Sequence, residues 1–186
     1  MKKALINTAK APKYDNFYTP EMAVYPLLKH FANRISFSGK CTIWECCDPG
    51  GSAITSVLKN YGYEVISTDI QTGFDFLHDI PDFHFDAIIT NPPYSKKDQF
   101  LEKCFHYNYV HNIPFALLLP ITALESIYRG TLFSLYGISV VVLNRRIDFT
   151  GKKQIWFNTS WFFNGTEIEN RIYFEKLEDG NDQDEN

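Results

Sequence analysis

The sequence predicts an α/β fold built on a mostly parallel sheet, and three observations carry that expectation. Short apolar runs alternate with amphipathic stretches along most of the chain. Two of the clearest runs end on polar residues, Asp69 and Asn91, as parallel strands do when their C-terminal ends face a ligand crevice. The first run is followed by a tight Asp48-Pro49-Gly50-Gly51 turn and then by apolar residues at helical spacing, which is strand, turn, helix.

Taken in order, residues 20–31 read as a helix opened by Thr19 as N-cap with Pro20 at the first helical position. Residues 42–46 form the first strand, and Ala53, Ile54, Val57, Leu58 and Tyr61 mark the helix after it. Gly62 punctuates, residues 63–68 make a second strand ending at Asp69, and the three elements form a βαβ unit. Residues 85–90 are a third strand, stopped by Pro92 and Pro93, which forbid both a continued strand and an immediate helix. A helix over 97–107 follows, then a strand over 115–119 ending at Pro120, a helix over 124–135 and a strand over 138–143. Past Arg146 the pattern loosens; 159–164 is β-prone, and 171–174 reads as one more edge strand.

A length of 186 residues leads to the expectation of one domain, placed at 1–176, rather than a catalytic domain with a separate specificity module. The last residues, 177–186, are an acidic run too poor in apolar side chains to offset the entropy of ordering, and read as a solvated tail. The net charge of −4 argues against a strong non-specific hold on nucleic acid, so any such contact needs a local basic patch. Cys41, Cys46, Cys47 and Cys104 form no CxxC pair, and no histidine stands at a spacing for zinc, so they read as reduced buried thiols and no metal site is expected. The N-terminus lacks the apolar stretch of a signal sequence and no run of ~18 apolar residues occurs, so a cytoplasmic location is expected.

The residues that carry chemistry are Asn91-Pro92-Pro93-Tyr94, at the tip of a strand. This tetrapeptide closely resembles the catalytic motif of class I S-adenosylmethionine-dependent amino-methyltransferases. An exocyclic amino group is a poor nucleophile because its lone pair is delocalised into the ring. The resemblance implies that the Asn91 amide oxygen and the Pro92 carbonyl each accept one N–H, that Pro93 stiffens the tip, and that Tyr94 offers a face on which an extruded base stacks. It further implies a Rossmann-like class I methyltransferase fold, with a mostly parallel seven-stranded sheet, helices on both faces and an antiparallel strand near the C-terminus.

The segment 45–52 is similar to the family's first glycine-containing loop, which wraps the methionine part of S-adenosylmethionine, although its proline comes late and its glycines are adjacent. Glu45, Asp48, Gly50 and Gly51 are its candidate cofactor residues. Asp69 stands where the family places the carboxylate that accepts both ribose hydroxyls, and two carboxylate oxygens suit a vicinal diol. Asp75 and Phe76 resemble the adenine pocket. Tyr18, Thr19 and Pro20 resemble the segment that closes over the cofactor, with a helix N-terminus suited to its carboxylate, and Asn91 borders the same cofactor.

For the substrate, Tyr94 and Ser95 lie at the tip, and Trp161 opens a Trp-Phe-Phe run similar to the family's later aromatic motif. Arg145, Arg146, Lys152 and Lys153, with Trp156, make the best basic and aromatic patch. The resemblance covers residues 16–165 and points to compact phage-type DNA N6-adenine methyltransferases, with DNA as the partner. RNA adenine, a protein glutamine, or a module that binds cofactor without catalysis are the alternatives left by the tetrapeptide alone.

Overall fold

The computed structural model describes residues 18–32, 41–149, 158–165 and 170–177. Seven strands form one sheet: β1 (Thr42–Glu45), β2 (Glu64–Ser67), β3 (Ala87–Thr90), β4 (Phe115–Pro120), β5 (Ser139–Leu143), β6 (Thr159–Asn164) and β7 (Ile172–Glu175). Their spatial order is β2-β1-β3-β4-β6-β5-β7. Among the described strands only β6 runs antiparallel to its neighbours, β4 and β5; every other pair is parallel. The mostly parallel sheet with one antiparallel strand near the C-terminus is therefore as expected. All the parallel strands end on one edge of the sheet, and that edge carries the site.

Among the described residues, four α-helices, α1 (Tyr25–Phe31), α2 (Ala53–Asn60), α3 (Lys97–His111) and α4 (Ile127–Tyr136), cover the two faces. Adjacent strand residues point to opposite sides. Ile43, Ile89, Leu118, Val141, Trp161 and Phe163 pack with α1 and α2, whereas Trp44, Ile88, Leu117, Val140 and Phe162 pack with α3 and α4. The central strands are apolar at nearly every position because both faces are covered, which is why they read so clearly in the sequence. Fully burying each Leu or Phe in these layers contributes about 1.5–3 kcal/mol.

Helix boundaries differ from the sequence reading: the helix expected over 97–107 runs on to His111, and two others start later than expected. The expected helix over 20–31 is a short 3-10 turn at Glu21–Ala23 followed by α1. Pro26 lies in the first turn of α1; its ring and missing N–H bar an α-helix running through it from residue 20, so the chain restarts at Tyr25. Thr19 consequently caps nothing, and Pro20 holds the N-cap position without a side-chain bond. Similarly, 124–135 is a 3-10 turn at Ile121–Leu124 and then α4, whose N-cap Ser126 accepts from the Arg129 N–H.

Leu177 belongs to the folded part: it is buried, its N–H donates to Asn144 Oδ1, and its carbonyl accepts from Arg145. The remainder of the acidic tail lies outside the described residues. All four cysteines are free, with Cys47 half-buried and the others buried. Among the described residues no helix is long and apolar enough to cross a membrane.

Candidate active site

A cleft opens at the C-terminal edge of the sheet, lined by the end of β1, the segments that follow β1, β2 and β3, residues of α2 and α3, and the segment before α1. It brings together Tyr18, Thr19, Glu45, Asp69, Asp75, Phe76 and Asn91 of the sequence-predicted residues, along with Pro93.

Glu45 closes β1 and is almost wholly buried. Its carboxyl accepts from the Cys47 N–H at 3.1 Å and from the Thr90 hydroxyl. Burial pushes its pKa up to about 8, against the pull of those two hydrogen bonds, with the charges of Asp48 and Asp69 adding to the rise.

Asp48, three residues on, has a different role from the one expected. It is buried and does not line the cleft. Oδ1 accepts from the Gly50 N–H (2.8 Å) and the Ser52 N–H (3.0 Å); Oδ2 accepts from Thr55 Oγ1 (2.6 Å) and Ser67 Oγ (2.9 Å). Burial alone would raise its pKa, but the donors on Thr55, Gly50, Ser67 and Ser52 outweigh it and hold the carboxylate below its ordinary range. Asp48 is thus the pin that ties the loop to α2 and β2. Gly50 and Gly51 take φ of 140° and 77°, a conformation open to glycine, and are exposed on the turn while Pro49 and Ser52 face the cleft.

Asp69 lies two residues past β2 and lines the cleft; its Oδ1 accepts from the Gln71 N–H at 2.7 Å, which fixes the carboxylate at the start of a 3-10 turn. Asp75 accepts from the Leu77 N–H (2.9 Å) and is hydrogen-bonded to His78 (2.8 Å), and that histidine bond keeps its pKa below the ordinary range. Phe76 stacks on Phe100 with ring centroids 4.8 Å apart, so the two rings form an apolar wall. Thr19 lines the cleft, and its hydroxyl is buried and without a hydrogen-bond partner among the described residues.

At the tip of β3, Asn91 and Pro93 reach the cleft and Pro92 is buried beneath them. Tyr94 does not present a stacking face: it is 8% exposed and packs in the apolar cluster with Phe100, Leu119 and Ala123, because the 3-10 turn Tyr94–Lys96 turns the ring inward. Ser95 is exposed beside it. Pro20 stands outside the cleft.

Trp161 likewise corrects a substrate contact. It is fully buried between β6 and α1, and its indole N–H donates to the Ala23 carbonyl at 2.6 Å. Arg145 and Arg146 are exposed after β5 on the same sheet edge, three strand spacings or roughly 14 Å from β3. Arg145 donates to the Leu177 carbonyl and Arg146 to Asn158 Oδ1, each at 2.7 Å. Lys152, Lys153 and Trp156 lie outside the described residues.

Leu77, next to Phe76 in the segment that resembles the adenine pocket, lines the cleft as well, and sequence reasoning passed over Ile70, Gln71, Lys96 and Phe100, which also line it. Ile70 was legible as an apolar residue directly after the ribose-type carboxylate; Phe100 carried no local signal, since only the packing of α3 brings it there. Arg129 was missed as well. It is buried, its Nη1 donates to Asp98 (2.7 Å), its Nε to the Ala123 carbonyl (2.6 Å) and its Nη2 to the Glu125 carbonyl (3.2 Å), binding the loop after β4 to the helix that starts behind the tip. Among the described residues no group of three or more His, Cys, Asp or Glu side chains could hold a metal ion.

No family model and no curated protein matches the sequence. The structure, however, is similar to solved ones. A modification subunit of a putative type I restriction enzyme from Vibrio vulnificus matches with a TM-score of 0.55 at 14% identity, over 93% of this chain and 49% of that one. The type I restriction-modification methyltransferase subunit from Streptococcus thermophilus matches with 0.53 at 19% identity, over 86% and 47%. A putative class I S-adenosylmethionine-dependent methyltransferase from Listeria monocytogenes gives 0.50 at 9% identity, over 91% and 69%. The chain spans about half the length of the two restriction-modification subunits. Strand order, the single antiparallel strand and these likenesses together give the chain the class I methyltransferase fold.

Proposed function

We propose that this chain transfers a methyl group from S-adenosylmethionine to N6 of adenine in DNA. The observation that carries the reading is the meeting of Asn91 and Pro93 in one cleft with Glu45, Thr19 and Asp69. The donor set fits the cofactor. Glu45 places a carboxyl in the cleft that can pair with an ammonium, whose charge would favour its ionised form, and Thr19 holds an unused buried hydroxyl suited to a carboxylate. Asp69 offers a carboxylate to vicinal hydroxyls, and the Phe76 and Phe100 wall with Ile70 offers apolar surface to an aromatic ring.

When bound, S-adenosylmethionine supplies an electrophilic methyl on a sulfonium. The chain's own work is alignment and shaping of the nucleophile. The Asn91 amide oxygen and the Pro92 carbonyl accept the two N–H groups of the base, which biases the nitrogen toward a pyramidal geometry and aims its lone pair along the cleft. Two acceptors suit two hydrogens. With Tyr94 packed inward as a prop for the tip, Tyr18, 77% exposed at the cleft, is the aromatic placed to stack on a flipped base. Arg145 and Arg146 serve phosphates along the same edge.

The test is transfer of tritiated methyl groups to duplex DNA, single-stranded DNA, RNA and protein, read against Asn91→Ala. We expect N6-methyladenine in DNA and a fall in kcat of roughly 10²–10³-fold for the variant, the scale of losing one preorganised hydrogen-bonding group in an active site. Label confined to RNA or protein overturns the substrate, and label unaffected by Asn91→Ala overturns the assignment of the tip.

A further inference from the structure

The edge strand β7 is hydrogen-bonded to β5 on one side and, among the described residues, meets no strand on the other. Its ladder fixes which backbone groups are used. The Val140 N–H donates to the Arg171 carbonyl (2.8 Å) and the Asn144 N–H to the Glu175 carbonyl (2.9 Å). With Val140 opposite Ile172 and Val142 opposite Phe174, the backbone groups of Arg171, Tyr173 and Glu175 point toward β5, and those of Ile172 and Phe174 point outward. Side chains alternate in step. Tyr173 stacks on His30 at 4.0 Å, and Glu175 is held by Lys29 (3.1 Å) and His30 (2.7 Å), all on the α1 side. Ile172 and Phe174 take the opposite side and are 62% and 79% exposed. Free edges are ordinarily guarded by charge, proline or a bulge; this one presents two large apolar side chains.

We propose that this edge receives β7 of a second copy of the chain, antiparallel about a two-fold axis through Tyr173, so that two sheets become one. The strand is self-complementary in that register. It sets Ile172 opposite Phe174 of the partner subunit, and since both point their backbone groups outward, each such pair exchanges both of its N–H···O bonds. The same pairing lays Ile against Phe on one face, and on the other it brings Arg171 opposite Glu175 of the partner subunit, with opposite charges across the strands. Centring on Ile172 or Phe174 instead keeps the hydrogen bonds but sets Arg171 or Glu175 opposite Tyr173 and loses the charge pairing. A one-residue slip calls on backbone groups already bonded to β5. A patch that complements itself closes as a symmetric dimer. The axis stands perpendicular to the sheet, so the two C-terminal edges face opposite ways and each cleft stays whole, whatever reaction it serves.

Sedimentation of the full chain over a dilution series tests this. The expected result is a species of twice the 21.6 kDa chain mass that dissociates on dilution. Phe174→Pro removes an outward N–H without touching the ladder to β5, and Ile172→Lys replaces an apolar contact with charge; each shifts the chain to monomer while keeping the wild-type thermal transition. Tyr173→Cys, at the axis, forms a disulfide-linked dimer on mild oxidation, because non-hydrogen-bonded antiparallel pairs bring Cα atoms to about 4.5 Å. A wild-type monomer at every concentration, a dimer untouched by both edge variants, or failure of the cysteine to cross-link overturns the proposal.

Discussion

The carboxyl of Glu45, at the end of β1, accepts a hydrogen bond from the hydroxyl of Thr90, the residue before Asn91 at the end of β3. The floor of the cleft and the tip that faces it are therefore joined directly across two neighbouring strands. Thr90→Val removes the donor at nearly constant volume and leaves Glu45 with one fewer partner in a buried place. We expect a loss of about 1–3 kcal/mol of stability in chemical denaturation, together with a further upward shift of the Glu45 pKa visible by carboxyl infrared titration.

Glu45 also sets a pH dependence. With its pKa raised to about 8 in the folded chain against 4.5 for the ordinary group, the folded state keeps a proton that the unfolded chain releases. Its contribution is fully present below about pH 4.5 and is lost as pH rises toward 8, by up to about 1.4 kcal/mol per pH unit. Glu45→Gln removes this slope. The melting temperature of the variant relative to wild type is expected to climb from pH 5 to pH 8. A difference that stays flat, or falls, contradicts the protonated carboxyl.

Asp48 is the residue on which the first loop depends. It gathers donors from the loop itself, from α2 and from β2, and no water-exposed substitute can reach them all. Asp48→Ala strands the Thr55 and Ser67 hydroxyls and the Gly50 and Ser52 N–H groups, and should cost about 3 kcal/mol or more. Glu45→Gln keeps the loop intact. Urea denaturation of both variants at pH 7 separates them: the Asp48 variant should show the much lower midpoint.

These differences locate what the sequence could and could not tell. Strands such as Phe115–Pro120 were legible because burial on both faces demands an unbroken apolar run. The tip was legible because Pro92 and Pro93 must end a strand. Glu45 and Asp48, by contrast, are two carboxylates three residues apart, and only donors arriving from Thr55 and Ser67 decide that one pins the loop while the other faces the cleft. Alternation along Trp161-Phe162-Phe163 says that neighbours take opposite faces but not that both faces are covered. The direction of the Tyr94 ring depends on a 3-10 turn that no local pattern announces.

Trp161 gives a direct test of core against contact. If its role is the bond to Ala23 and the packing beneath α1, Trp161→Phe keeps most of the apolar area and leaves one carbonyl bare, at a cost of about 1–3 kcal/mol. The KM for nucleic acid should be unchanged. A raised KM at unaltered stability would return this side chain to the substrate.

Tyr18 is the opposite case. It is largely exposed, so Tyr18→Ala should leave the thermal transition where it is. A ring that stacks on a flipped base contributes about 1–3 kcal/mol to holding it, so the KM for DNA should rise roughly tenfold or more while calorimetric affinity for S-adenosylmethionine stays unchanged. Tyr18→Phe should restore the wild-type value, because stacking needs the ring and not the hydroxyl. Loss of cofactor affinity in the alanine variant would instead assign Tyr18 to the cofactor side of the cleft, and leave the base to be held by the Asn91 tip alone.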